Sequence, residues 1–299
     1  VSLEVIEPGL LTTIQDNGRP GWTHLGVPGG GACDRSGLAT ANLLAGNVPG
    51  AAALEMTLVG GTYRATAPIR VGLAGADLGG QIRGTGRRLR PGHAHDLAAG
   101  ATIAFPGVAD VTAGARAYLA LLGGIDVPEV LGSRSTALGA AFGGLDGRAL
   151  RSGDIIVAAG PGRAHPQGHF AVWPADPDEL DPDPDRPIRI VGGPWSGAET
   201  LVGRAWRIGP GSDRVGLRLD GAPIELAAGP GLPSFGILPG AIQVPPDGIP
   251  IVLLADAQTT GGYPVVGVAI AADMPRLAQL RPGAEVRFEV VSIASATDA

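Results

Sequence analysis

A glycine or proline interrupts this chain at about every fourth position, with Gly 50 and Pro 27 among 299 residues. Inside a helix a glycine costs about 1 kcal/mol and a proline about 3. Long helices are therefore disfavoured, and the chain must be assembled from short segments joined by turns. Because 44% of it is hydrophobic and no low-complexity repeat occurs, it is globular rather than disordered. Short apolar runs at Leu3–Ile6, Ile69–Leu73, Ala117–Leu122 and Ile155–Ala159 read as strands. Two helices are predicted. One is capped by Asp34 and ends near Gly46, with Leu38, Ala41, Leu44 and Ala45 at helical spacing; the other follows Asp273, has Pro275 in its first turn and stops before Pro282. So many short strands leave many edges, and closure removes edges, so two related barrels or sandwiches are expected.

A boundary between them is expected at WPADPDELDPDPDRP, whose prolines and six carboxylates make a stiff, solvated connector. The domains would then be 1–173 and 188–299, joined by 174–187; an acidic surface loop within one domain is the other reading. Two patterns support duplication. L-x-x-G-x-x-[IV] occurs at Leu97/Gly100/Ile103, Leu150/Gly153/Ile156 and Leu280/Gly283/Val286, each time as a turn entering a strand. Tyr118–Pro128 and Ile251–Pro264 both read strand, Gly-Gly, then proline.

Composition excludes several chemistries. All 22 basic residues are arginine, so there is no P-loop lysine, Schiff-base lysine, Ser–Lys pair or biotin attachment point. A net charge of −6, with no arginine cluster larger than Arg87–Arg90, argues against a nucleic-acid surface. Cys33 is the single cysteine, which precludes an internal disulfide and suits a reducing cytoplasm. No signal peptide and no apolar run near 18 residues is found, so no membrane partner is expected. His93 and His95 flank one residue beside Asp96, and Pro166 and Gly168 break any helix joining His165 to His169, so no metal site is expected. No G-x-S-x-G nucleophile elbow is present.

Two stretches concentrate polar chemistry. In IVLLADAQTTGGYPVVGVAIAA, an apolar strand from Ile251 to Ala255 delivers Asp256, Gln258, Thr259, Thr260, Gly261, Gly262 and Tyr263 to a rim. Paired glycines at positive φ would turn their N–H groups outward as an anion nest; a plain tight turn is the alternative. In the second stretch, Thr12–Asn47, Gln15, Asp16 and Arg19 share a turn, and Gly29, Gly30 and Gly31 lead into the helix capped by Asp34. That is either an anion site at a helix N-terminus or a flexible loop plus a cap. Arg134, Arg214 and Arg218 lack evident partners. On one strand Arg214 and Arg218 would share a face and could bind a carboxylate or phosphate bidentately, unless Asp213 or Asp220 pairs with them.

The segments TTIQDNGRPG, GVPGGGACD, ANLLAGN, ALEMTLVGG, LGSRST, SDRVGLRL, AIQVPPDGIPIVLLADAQTTGGYP and LAQLRPG together resemble one family over nearly the whole chain. It is the biotin-dependent carboxyltransferase family, which includes allophanate hydrolase subunit 2 and the C component of 5-oxoprolinase, and a related member is the antagonist of a sporulation-kinase inhibitor. The resemblance implies a mainly β fold of two cyclophilin-like β-barrel domains with a few short helices, and a subunit 1 (or B) partner. For 5-oxoprolinase members a third subunit and ATP complete the enzyme that opens 5-oxoproline to glutamate. Its polar signature falls on Gln15, Asp16, Arg19, Asp34, Asn42, Asn47 and Glu55, then on Ser212, Asp213, Arg214, Arg218, Gln243, Asp256, Gln258, Thr259, Thr260, Gly261, Gly262 and Tyr263. Cys33 stands where many members carry methionine. The catalytic set implied is Asp256, Gln258, Thr259, Thr260 and Tyr263; the substrate-binding set is Gln15, Asp16, Arg19, Asp34, Arg214, Arg218, Gln243, Gly261 and Gly262. The loops around residues 15–34 and 256–263 are expected on opposite walls of one shared crevice. The alternatives are carboxyl transfer in urea or allophanate metabolism, with biotin on a separate carrier, and a non-catalytic regulatory subunit. Amidase-type allophanate hydrolysis needs a lysine that this chain lacks.

Overall fold

The computed structural model describes residues 1–160, 186–226 and 232–298. His165, His169 and nearly all of the acidic connector lie outside these. The chain divides into two compact units, Val1–Arg19 with Gly30–Asp181 and Pro20–Gly29 with Pro182–Ala299. Strands dominate both, as expected from the glycine and proline spacing.

In the first unit the strands are β1 (Ser2–Glu7), β2 (Leu11–Gln15), β3 (Ala53–Thr57), β4 (Thr62–Ala65), β5 (Ile69–Gly75), β6 (Gln81–Ile82), β7 (His93–Leu97), β8 (Thr102–Ala104), β9 (Arg116–Leu121) and β10 (Ile155–Val157). They form two five-stranded antiparallel sheets, ordered β10-β1-β4-β8-β6 and β2-β3-β9-β5-β7. Strand alternation sorts their side chains. Leu54, Met56, Val71, Leu73, Leu119 and Leu121 join Leu3, Val5 and Ile103 in one core. Ala53, Ala74, Tyr118 and Ala120 point the other way, onto helix α1 (Arg35–Ala45), where they meet Leu38, Ala41 and Ala45. Asp34 caps that helix by accepting from Gly37 N–H, and Gly46 ends it in the left-handed region, as the sequence predicts. Gly72 permits the close packing: a Cβ there would lie 2.0 Å from the Ala41 carbonyl oxygen.

The second unit holds β11 (Ile188–Gly192), β12 (Trp206–Ile208), β13 (Gly216–Asp220), β14 (Phe235–Gly236), β15 (Ala241–Gln243), β16 (Ile251–Leu253), β17 (Thr260–Gly261), β18 (Val265–Ala269), β19 (Glu285–Val286) and β20 (Phe288–Val290). An eight-stranded sheet runs β19-β12-β13-β16-β15-β18-β11-β20, and β14 pairs with β17. The outermost strands of the large sheet, β19 and β20, are separated in sequence by Arg287 alone. One segment therefore supplies both edges, which curls the sheet into a nearly closed barrel. Its inner face carries Trp206, Ile208, Leu217, Leu219, Ile242, Val252, Val266, Ile190 and Phe288. Two short helices, α2 (Ala198–Leu201) and α4 (Ile293–Thr297), fall below the length at which periodicity is readable. Between them helix α3 (Met274–Gln279) follows Asp273 with Pro275 in its first turn, as expected.

The three L-x-x-G-x-x-[IV] segments share one device. Gly100, Gly153 and Gly283 have φ of +77°, +89° and +90°. Each lies third in a turn closed by Ala101 N–H to Ala98 O, Asp154 N–H to Arg151 O, or Ala284 N–H to Arg281 O, the pattern of a type II turn. Each glycine N–H then donates to a neighbouring strand (Ala65, Val5 or Ile208), and that residue donates back to the carbonyl that follows the glycine.

Gly72→Ala, which forces backbone onto backbone, should lower unfolding free energy by about 3 kcal/mol, and Gly100→Ala, with open space but positive φ, by about 1 kcal/mol; urea titration measures both. A second expectation concerns Asp273, which accepts from the Arg189 guanidinium at 2.7 and 3.0 Å. Burial acts to raise its pKa, but the hydrogen bonds and charge of Arg189 outweigh it and hold the carboxyl below the usual range. Its folded pKa is depressed, so this contribution is present above about pH 4 and is lost as pH falls through the folded value. The stability difference between wild type and Asp273→Asn should shrink on acidification below about pH 4.

Candidate functional site

In the second unit the face of the barrel sheet opposite the core carries a row of register partners. Arg218 on β13 lies across from Ile251 on β16, which lies across from Gln243 on β15, which lies across from Val265 on β18. Directly paired residues project to one face, and strands are spaced about 4.8 Å apart. Above this face Ile237, Ala241, Leu253, Ala257 and Val265 form an apolar cluster, with Trp195 and Phe235 packed against it. The Trp195 and Phe235 rings are 4.9 Å apart at 32°. The sequence reading missed this aromatic pair, because a Trp and a Phe beside glycines and prolines carry no spacing signal.

The segment 254–263 folds back over that face. Arg214 clips its start: Nε donates to Asp256 Oδ2 at 2.8 Å and Nη2 to Oδ1 at 3.0 Å, while Asp256 N–H donates to the Arg214 carbonyl. Its end is held by β17 pairing with β14, Phe235 opposite Gly261. Gln258 Nε2 reaches the Gln243 Oε1 at 3.4 Å, and Gln243, 2% exposed, leaves its own Nε2 covered and without a partner among the described residues. Gln258 and Thr260 are exposed, and Tyr263 is 44% exposed.

Three expectations change here. Arg214 and Arg218 do not share a free face: Arg214 precedes β13, is 3% exposed and is committed to Asp256, whereas Arg218 sits in the strand and is exposed. The bidentate partner of Arg214 is not the nearby Asp213 or Asp220 but Asp256, 42 residues away in sequence and invisible to local pattern. Gly261 and Gly262 form no nest, because neither adopts a positive φ. Gly261 is required for close packing instead: a Cβ there would lie 2.3 Å from Ile237 Cδ1 and 2.9 Å from Gln243 Nε2.

The first unit's signature residues are tied into its own framework. Asp16 accepts from Gly18 N–H, Arg134 N–H and the Ser133 and Ser135 hydroxyls, so it anchors the LGSRST loop. Gln15 donates to Thr13 and the Thr136 carbonyl, and Arg19, fully buried, donates to the Ser135 carbonyl and lies 4.8 Å over the Phe142 ring. Asn42 and Asn47 bind each other and the carbonyls of Ala51 and Leu121. Glu55, 1% exposed, accepts from Cys33 N–H and the Tyr118 hydroxyl, and Tyr118 accepts from Asp34 N–H. Burial foremost, then the charges of Glu55 and Asp34, pushes the Tyr118 phenol well above its ordinary pKa. The helix N-terminus after the glycine run is capped by the Asp34 carboxylate, with Glu55 close by. Arg134 is also engaged, with Glu129 and the Val127 carbonyl.

His93 and His95 meet the Pro91 and Arg90 carbonyls. Among the described residues, no three His, Cys, Asp or Glu side chains gather to hold a metal ion, and no helix is long and apolar enough to cross a membrane. Of the two loops expected to face each other, the site residues Gln15, Asp16, Arg19 and Asp34 fall in the first unit and residues 256–263 in the second.

The chain matches the family described as "Carboxyltransferase domain, subdomain A and B" over residues 25–290. It is 36% identical to the C component of 5-oxoprolinase from Escherichia coli (strain K12), covering 99% of this chain and 94% of the relative. Against the corresponding 5-oxoprolinase component of Haemophilus influenzae the identity is 32%, over 98% and 93%. The crystal structure of the K. lactis urea amidolyase superposes with a TM-score of 0.87 at 28% identity, over 99% of this chain but 19% of that one.

Because Arg214 and Asp256 are both largely buried, Arg214→Gln leaves a carboxylate without its cation and should cost about 3 kcal/mol. Arg218→Gln, on an exposed side chain, should stay within about 0.5 kcal/mol. Denaturant unfolding of the two variants distinguishes the anchor from the free guanidinium.

Proposed function

The chain belongs to the carboxyltransferase-domain family, and from that premise we propose that it is one component of an ATP-dependent 5-oxoprolinase that works with a subunit 1/B partner and a third subunit. The observation that carries this reading is the end-to-end match, at 36% identity, to a protein named as the C component of 5-oxoprolinase. The substrate is a five-membered lactam bearing a carboxylate. Water adds to the lactam carbonyl, the carbon–nitrogen bond breaks, and the released nitrogen takes a proton to give L-glutamate.

The outer face of the second unit suits such a molecule. Arg218, exposed and with no ion pair or hydrogen bond through its guanidinium among the described residues, is the candidate for the substrate carboxylate. Gln258 and the hydroxyls of Thr259 and Thr260 would donate to the oxygen on which negative charge develops; one well-placed donor is worth about 2.7–4 kcal/mol. Tyr263 is the exposed phenol available to deliver or relay a proton. Asp256 takes an orienting role, since its oxygens are held by Arg214. ATP would supply the free energy that makes lactam opening favourable, but the residues of this chain do not fit its phosphates at the glycine run, where Asp34 and Glu55 already stand. We therefore assign nucleotide binding to a partner protein.

ATP-dependent loss of 5-oxoproline by the reconstituted subunits tests the assignment. Arg218→Gln should raise KM at least about tenfold, the loss of one charge-assisted pair, and Gln258→Leu should lower kcat about a hundredfold. Full activity without this chain, or unchanged kinetics in both variants, would overturn it. The structural likeness to a urea amidolyase supports a second reading, carboxyl transfer to a small nitrogen compound. With no lysine in this chain, biotin would have to arrive on a separate carrier. A streptavidin blot of proteins that copurify with the chain tests this reading; absence of a biotinylated partner counts against it.

A further inference from the structure

Away from the residues assigned above, the second unit has an open depression of about 470 Å³ lined by Thr200, Val202, Arg204, Pro223, Ile224 and Glu225. Its floor is pre-set. The Arg204 guanidinium lies 4.0 Å over the ring of Trp206, which is fully buried and whose Nε1 donates to the Leu201 carbonyl at 3.1 Å. Stacking on a fixed indole holds the guanidinium plane without consuming its hydrogen-bond donors. Its Nε is covered and without a partner, and its terminal nitrogens are the donors left for a ligand: among the described residues Arg204 makes no hydrogen bond or ion pair, in contrast to Arg64, Arg70, Arg88, Arg148, Arg189 and Arg214, each of which meets a carboxylate. Glu225 is likewise without a partner among the described residues, so two opposite charges border one depression without closing on each other. Of the other lining residues, Val202, Pro223 and Ile224 are aliphatic.

We infer that this depression binds a free aliphatic α-amino acid. The guanidinium takes the α-carboxylate as a fork, the Glu225 carboxylate takes the α-ammonium, and the aliphatic wall covers the side chain. A plain carboxylate would meet repulsion from Glu225 and a plain amine would meet it from Arg204, so the pair of charges selects the zwitterion. The inference is independent of the reaction assigned to the outer face.

Calorimetric titration of the full chain with L-valine, isovalerate and isobutylamine tests it, with the Trp206 indole N–H resonance reporting where binding occurs. L-Valine should bind and shift that resonance, while isovalerate and isobutylamine, each missing one charge, should bind at least about tenfold more weakly. Arg204→Gln and Glu225→Gln should each weaken L-valine at least about tenfold. Glu225 is exposed and contributes nothing to the core, so its variant tests the site even if Arg204→Gln perturbs packing over Trp206. No L-valine binding, equal binding of isovalerate, or unchanged affinity in Glu225→Gln would overturn the inference.

Discussion

The candidate site hangs on the Arg214–Asp256 pair. It joins the residue before one barrel strand to the loop that leaves another, and it is bidentate, with the arginine 3% exposed. Leu254 and Ala257 are buried and the far end of the loop pairs with Phe235, but the small polar residues between them have little area to bury, so the pair fixes where the loop starts its return over the sheet. Once the loop is clipped, Gln258 reaches Gln243, Gly261 can pair with Phe235, and Thr260 and Tyr263 are left facing outward. A charge pair here therefore sets geometry more than it adds stability, since removing both charges from water offsets much of their attraction.

The first unit follows the same logic in a different place. Asp16 gathers two serine hydroxyls and two backbone N–H groups, and Glu55 holds the start of α1 to β9 through Tyr118. These are acids whose acceptor capacity is used internally. Polar residues grouped in sequence thus serve two ends. In the first unit they solve the problem of burying turns whose backbone groups need partners; in the second, several remain exposed.

Much of the fold was legible because it follows from local rules. The α1 boundaries rest on Asp34 and Gly46, α3 on Pro275, and the three glycine turns on a φ that only glycine adopts cheaply. The candidate site was legible only as a set of residue types. Nothing in the run around Arg214 and Arg218 says that one is buried and the other exposed, because the burying partner is 42 residues further along the chain. Likewise Gly261-Gly262 has the composition of a nest, yet Gly261 is drawn into a strand opposite Phe235 and neither glycine adopts a positive φ.

The order of residues along the chain was enough for the class of structure: short strands, tight glycine turns, two short helices, and a chemistry restricted to arginine for every fixed basic charge. Which polar residues are anchors and which remain available was settled by the folded arrangement, and so was the placing of Arg204 on Trp206 beside the same depression as Glu225. The physical reason is that spacing along a chain fixes periodicity and φ, whereas burial and charge pairing depend on which distant segments the sheet registers bring together.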